Sequence, residues 1–487
     1  MQTDYTMYKR KIEDYLLQWK ENPKHKPIVI KGVRQCGKTS SVKAFAQAHY
    51  EHVVYLDFRE HREYKHFFHP SLDVDEIIMR ISATLPSLVI EPHKTCFVFD
   101  EIQDCPMARA SLKYFYLDGR YDVLCTGSLL GVNGYKTQEE QKEENEASIP
   151  VGFEHIVDMY PMDFEEWLWA NGIREEHIAL LRKHFQEETP VDESIHLRMR
   201  ELLLQYVFVG GMPEAVSTFL TTRQVGPLLE VQHQIIDSYK ADMIKYARTE
   251  DKSRIRECFE SIPRQLAKEN KKFTYTAVRP NGRGKDYAGS LQWIEDAGII
   301  RRCYNTGITE LPLEGNAIQD QFKVYMADTG LFVSMLEDGT ASSIIQGQLG
   351  AYKGAIYENL MADILGKMGR KLYYYHKDSG LEIDFLIRHQ GECVLLECKA
   401  RSGNAKSLQT VLKHPEKYHV YHAIKCGDYN VGRNDALLTI PLYMAFLLDV
   451  APEELVLEPI DAAQLTQLGQ KPSPSDERET SERQAMS

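Results

Sequence analysis

Gly32-Val33-Arg34-Gln35-Cys36-Gly37-Lys38-Thr39 has the spacing G-x-x-x-x-G-K-T. Glycines at both ends let a turn close tightly, and Lys38 and Thr39 put an ammonium and a hydroxyl beside it. The run Pro27-Ile28-Val29-Ile30 before it reads as a buried parallel strand, and Ser40 to Ala46 after it reads as a helix. A strand, a glycine-bounded turn and a helix N-terminus surround one small volume with backbone N–H groups. That volume suits a chain of phosphates. Lys38 would reach the β- and γ-phosphates of ATP, and the Thr39 hydroxyl would ligate Mg²⁺.

A second signal is Cys96-Phe97-Val98-Phe99-Asp100-Glu101, an apolar strand ending in two carboxylates. Asp100 would hold Mg²⁺ through water, and Glu101 would orient the attacking water. A further strand, Asp122 to Ser128, ends in polar residues placed to sense the γ-phosphate, Ser128 first and Thr126 second. The nucleotide-binding set is Gly32, Arg34, Gln35, Gly37, Lys38, Thr39, Ser40, Asp100 and Ser128. Lys38 and Glu101 are its catalytic members.

A second constellation lies near the C-terminus. The strands Leu381–Ile387 and Cys393–Lys399 flank a turn at Gly391 and pair as a hairpin. Glu397 and Lys399 are two apart and share a face. Glu397 with Asp384 could hold a second hard divalent cation, Glu358 on the preceding helix could complete its shell, and Lys399 would position a water or stabilise developing charge. The alternative is a strand pair with solvated charges.

The elements around these residues must position them. With 487 residues, several cores are expected, and 43% hydrophobic content can fill them. Strand, helix and strand in alternation imply an α/β, doubly wound parallel sheet carrying its ligand at the C-terminal strand ends. Ile156 to Pro161 reads as its last strand, and Asp163 as a helix N-cap. Residues 131–150 are a polar, solvated insertion. Residues 171–250 form a helical lid broken at Gly210-Gly211-Met212-Pro213. Residues 251–340 alternate helix, basic turn, helix and strand in a winged-helix-like pattern. Arg283, Lys285 and Gln292 there would touch DNA, or the unit is a structural spacer. Residues 341–450 form a small α/β domain, and 451–487 a disordered tail. A net charge of −13 argues against bulk attraction to nucleic acid or membrane, but not against a local basic site. Nine scattered cysteines, no signal-peptide core and no apolar run of membrane-spanning length point to a reduced, cytoplasmic protein without a membrane span.

The loop with Arg34-Gln35, the blocks Pro150-Val151-Gly152-Phe153 and Pro161-Met162-Asp163-Phe164-Glu165-Glu166, and Gly210-Gly211-Met212-Pro213 resemble a class of bacterial and archaeal AAA-type P-loop ATPases. The C-terminal half resembles the domain of unknown function 4143, for which a PD-(D/E)XK, restriction-endonuclease-like fold is implied. On this resemblance residues 1–170 form an AAA-type ATP-binding domain, with Lys38, Thr39, Asp100 and Glu101 matching its motif. Glu358, Asp384, Glu397 and Lys399 match the nuclease-like motif, although Ile383 stands where a proline is usual. AAA-type sites usually take an arginine from a neighbouring subunit, which implies a homo-oligomer, with Arg109 and Arg120 as candidate fingers. Two functions follow: an ATP-gated, metal-dependent nuclease acting on DNA, or a nucleotide-switched scaffold that only grips nucleic acid or a partner.

Overall fold

The computed structural model describes residues 8–129, 151–246, 251–268, 271–337, 339–346, 352–399 and 405–448. The expected polar insertion at 131–150 and the tail at 451–487 lie outside these residues. The described residues fall in one compact unit.

The first layer grows from short apolar strands. After helix α1 (Lys11–Glu21) come β1 (Ile28–Gly32), α2 (Lys38–His49), β2 (His52–Asp57), α3 (Val74–Thr84), β3 (Thr95–Asp100), α4 (Pro106–Asp118), β4 (Asp122–Ser128) and β5 (His155–Asp158). Every residue of β3 is buried, as a strand covered on both faces requires. The strands lie parallel in the order β2-β3-β4-β1-β5. β4 therefore separates β1, which leads into the glycine loop, from β3, which ends in the acid pair. All three deliver their C-terminal residues to one edge.

Helices α5 (Phe164–Ala170), α6 (Glu175–Gln186), α7 (Glu193–Val209), α8 (Pro213–Thr222) and α9 (Val225–Tyr246) follow. Asp163 caps α5 in a reciprocal box: its carboxylate takes the Glu166 N–H, and Glu166 takes the Asp163 N–H. The corner between α7 and α8 needs glycine. A Cβ on Gly211 would stand 2.0 Å from the Met162 carbonyl oxygen.

Next come α10 (Lys252–Leu266), α11 (Tyr275–Val278), α12 (Gly284–Asp296), β6 (Ile300–Thr306), β7 (Ala317–Met326) and α13 (Thr329–Ser334). The remaining elements are α14 (Thr340–Ile345), α15 (Lys353–Lys367), β8 (Leu372–His376), β9 (Glu382–His389), β10 (Glu392–Lys399), α16 (Lys406–Leu412), α17 (Pro415–Tyr418), β11 (Ala423–Gly427), β12 (Gly432–Asn434) and β13 (Leu437–Pro441). A second, mixed sheet runs β12-β13-β11-β10-β9-β8-β6-β7. It crosses residue 340: β6 pairs antiparallel with β7 and parallel with β8. The hairpin expected around Gly391 is β9–β10, antiparallel with Leu396 opposite Phe385.

A buried polar knot joins these parts. Lys367 Nζ lies 2.8 Å from Asp363 Oδ1 and 3.5 Å from Asp328 Oδ2, with side-chain exposures of 1%, 0% and 3%. It also donates to the Tyr206 hydroxyl at 2.9 Å and the Met162 carbonyl at 3.2 Å. Asp328 Oδ2 accepts the Gly211 N–H at 2.7 Å. One ammonium thus touches α7, the α5 entry, the α13 cap and α15, and reaches the α7–α8 corner through Asp328.

Candidate nucleotide site

A cleft of about 530 Å³ opens at the C-terminal edge of the parallel sheet, lined by Arg34, Gln35, Gly37, Lys38, Thr39 and Ser40 among others. Its floor is the loop between β1 and α2. Gln35 and Gly37 both take positive φ, at 63° and 97°, which turns the backbone sharply before the helix starts. Gly32 stands where side chains cannot, since a Cβ would meet the Met159 carbonyl oxygen at 2.2 Å. Lys38 is 7% exposed, and its Nζ donates to the carbonyls of Gly32 at 3.0 Å and Val33 at 2.9 Å. Arg34 turns to α9, where its Nη1 lies 2.8 Å from Asp242 Oδ1.

Thr39 and Asp100 meet across the sheet edge. The Thr39 hydroxyl donates to Asp100 Oδ1 at 3.0 Å, though 61 residues separate them. A hydroxyl that could ligate Mg²⁺ thus stands beside a carboxylate that could hold one of the waters this ion keeps, so the pair of hard donors fits it. Thr126 also donates to Asp100 Oδ1, and Tyr55 donates to Asp100 Oδ2. Glu101 follows in the left-handed region, with φ of 53°. Its carboxylate is held by Arg59, 2.8 Å away, and by Gln103. Of the two candidate sensing residues, Thr126 contacts the acid pair. Ser128 sits opposite Gly32 in the β1–β4 register and lines a small separate cavity with Arg34 and Asp242.

Residues 24–168 match the AAA domain family. Residues 353–444 match the domain of unknown function 4143, and residues 200–342 match the domain of unknown function 8612. No curated protein matches the chain. Among solved structures, a Walker-type ATPase of Pyrococcus abyssi is 15% identical, with 68% of this chain and 96% of that chain covered and a TM-score of 0.37. Cdc6p from Pyrobaculum aerophilum is 11% identical, covering 71% and 97%, at a TM-score of 0.25. DnaA from Aquifex aeolicus, bound to AMPPCP, is 11% identical, covering 60% and 90%, at a TM-score of 0.25. The N-terminal part of the chain is thus similar to AAA domains.

The C-terminal constellation is carried by α15, β9 and β10. Asp384 and Glu397 do come together on β9 and β10, and Asp384 Oδ2 accepts the Cys398 N–H at 2.8 Å. Lys399 pairs with Glu397. Glu358, on α15, is engaged by amines instead: Lys271 pairs with it, Lys323 Nζ lies 3.7 Å away, and Tyr325 donates to it at 3.1 Å. Burial pushes the Glu358 carboxyl up, but Lys323 and Lys271 more than reverse this and hold it below its ordinary value. Burial, with Glu358 and Glu397 nearby, pushes Asp384 up to about 8. Among the described residues no cluster of three His, Cys, Asp or Glu side chains is arranged to hold a metal. Ammonium groups supply positive charge at Glu358 and Glu397.

Arg283 and Lys285 are exposed at the start of α12, whereas Gln292 is tied to Arg302 and Asp296. Arg109 makes a two-pronged pair with Glu154, at 3.0 and 2.7 Å. Arg120 is engaged by Asp118 and Asp75. All nine cysteines are buried and unbridged. Among the described residues no helix is long and apolar enough to cross a membrane. Sequence reasoning missed Arg10, Tyr55, Arg59, Lys271 and Lys323. Only Arg59 carried a local signal, following the end of β2 as Glu101 follows β3.

Proposed function

We propose that the chain is a Mg²⁺-dependent ATPase whose nucleotide state switches how its C-terminal parts grip a partner. The contact between Thr39 and Asp100 carries this reading, because it brings the loop hydroxyl and the strand-end carboxylate to one cation's reach. Bound there, Mg²⁺ would neutralise phosphate charge and orient the β- and γ-phosphates. Lys38 exchanges loop carbonyls for phosphate oxygens. Glu101, once released by Arg59, orients the attacking water, and Thr126 keeps Asp100 in place. The lysine knot beneath Met162 and Gly211 connects the cleft wall to α15. The partner is nucleic acid met by Arg283 and Lys285, on the three helices and β6–β7 hairpin that support a winged-helix reading. Buried, reduced cysteines support a cytoplasmic reading, and the likeness to AAA domains supports a homo-oligomer. Phosphate release by the wild type, lost in Lys38→Ala and Asp100→Asn, tests the core claim. A wild type that binds neither ATP nor ADP would end it.

A second reading keeps the C-terminal domain as a metal-dependent DNA nuclease. Glu397 Oε2 favours it, being buried beside Asp384 and Lys399 without a hydrogen-bond partner among the described residues. Plasmid cleavage with Mg²⁺ or Mn²⁺ and ATP, lost in Asp384→Ala and Lys399→Ala, would establish it. No cleavage under either metal would leave the switch reading alone.

A further inference from the structure

Arg10 precedes α1 and lines the cleft, yet only 5% of it is exposed. Its Nη1 donates to the Cys36 carbonyl and its Nη2 to the Tyr160 carbonyl, both at 2.8 Å. Its Nε lies 3.1 Å from Glu166 Oε1. Glu166 is itself fixed, taking the N–H groups of Lys11 at 2.7 Å and Asp163 at 3.0 Å. The guanidinium thus bridges the phosphate loop to the segment that enters α5.

The Cys36 carbonyl and the Gly37 N–H belong to one planar trans peptide, so they point in opposite directions. Holding the carbonyl fixes where the N–H aims. This peptide needs holding: it runs from Cys36 into Gly37, whose φ is positive and where glycine permits more than one orientation. A Cβ on Gly37 would stand 3.1 Å from Arg10 Nη1, so loop and guanidinium are in close contact.

We propose that Arg10, anchored by Glu166, is a positioning residue that aims the Gly37 N–H at the nucleotide's phosphates. The Pro161-to-Glu166 block thereby acquires a role, since its last carboxylate holds the arginine that holds the loop. The inference rests on the ATPase reading and adds a residue to it.

The test is ADP binding to the full chain by calorimetry. Arg10→Ala should weaken ADP about ten- to hundredfold, the value of one or two charge-assisted hydrogen bonds. Arg10→Lys, or millimolar guanidinium added to Arg10→Ala, should recover much of the loss. If Arg10→Ala does not fold, Arg10→Met/Glu166→Leu removes both charges and carries the measurement. A folded variant binding ADP within about threefold of wild type overturns the inference and leaves the ATPase reading standing. A loss that neither lysine nor guanidinium reverses assigns Arg10 a general structural role and also overturns it. A wild type without ADP affinity removes the ATPase reading instead.

Discussion

Replacing Lys367 by Met removes the one cation inside the polar knot. Asp363 and Asp328 then stay 0% and 3% exposed with their hydrogen bonds to Thr329 and Gly211 intact, but with no positive charge beside them. Breaking one half of a buried ion pair costs about 3–5 kcal/mol, mostly from the charge left behind. Methionine fills nearly the same volume, so packing loss adds little. The double variant Lys367→Met/Asp363→Asn removes that orphaned charge and should cost no more than about 2 kcal/mol. Urea unfolding followed by tryptophan fluorescence at neutral pH reads both, as the midpoint shift multiplied by the slope. Refutation would be a single variant within about 1 kcal/mol of wild type, or a double variant no better than the single. Either result would mean that water or a rearranged side chain satisfies the aspartates, and that the knot does not bind the parts together.

Three other outcomes are expected. Glu101→Gln should lower ATP turnover by about 10²–10⁴-fold while ATP affinity stays within about threefold, as read by phosphate release and calorimetry. Asp384 has a folded-state value of about 8, above the ordinary carboxylate value of about 4, so the folded chain holds its proton more tightly. Its stabilising contribution is present in full below that ordinary value and is lost as pH rises toward about 8. Urea midpoints should fall across that window in the wild type and flatten in Asp384→Asn. Gly211→Ala drives a methyl into the Met162 carbonyl, and should destabilise by at least about 1–3 kcal/mol in the same unfolding assay.

Where neighbours in sequence decide the structure, the chain was readable. The glycine loop lies between a strand and a helix, and the acids follow an apolar run, so β1, α2, β3 and the positions of Lys38, Thr39, Asp100 and Glu101 at one sheet edge could be placed before any fold was known. The short turn at Gly391 likewise brings Asp384 and Glu397 abreast, because hairpin pairing is local. Long-range choices were not readable. Nothing in Lys323 marks it as 1% exposed, since a lysine within a strand ordinarily points to water. It reaches Glu358 only because β7 packs against α15. Arg10 sits 26 residues from the loop carbonyl it holds and 150 from Tyr160. The parallel pairing of β6 with β8 spans α13, α14 and α15, and no periodicity announces it.

That pairing limits how the molecule can be divided. A protease or a cloning boundary placed between β7 and β8 would strip β6 of a partner and leave raw backbone donors and acceptors along both new rims. Fragments made there should clump rather than behave as independent pieces. A recombination event moving the C-terminal α/β unit into another protein would have to carry the β6–β7 hairpin with it.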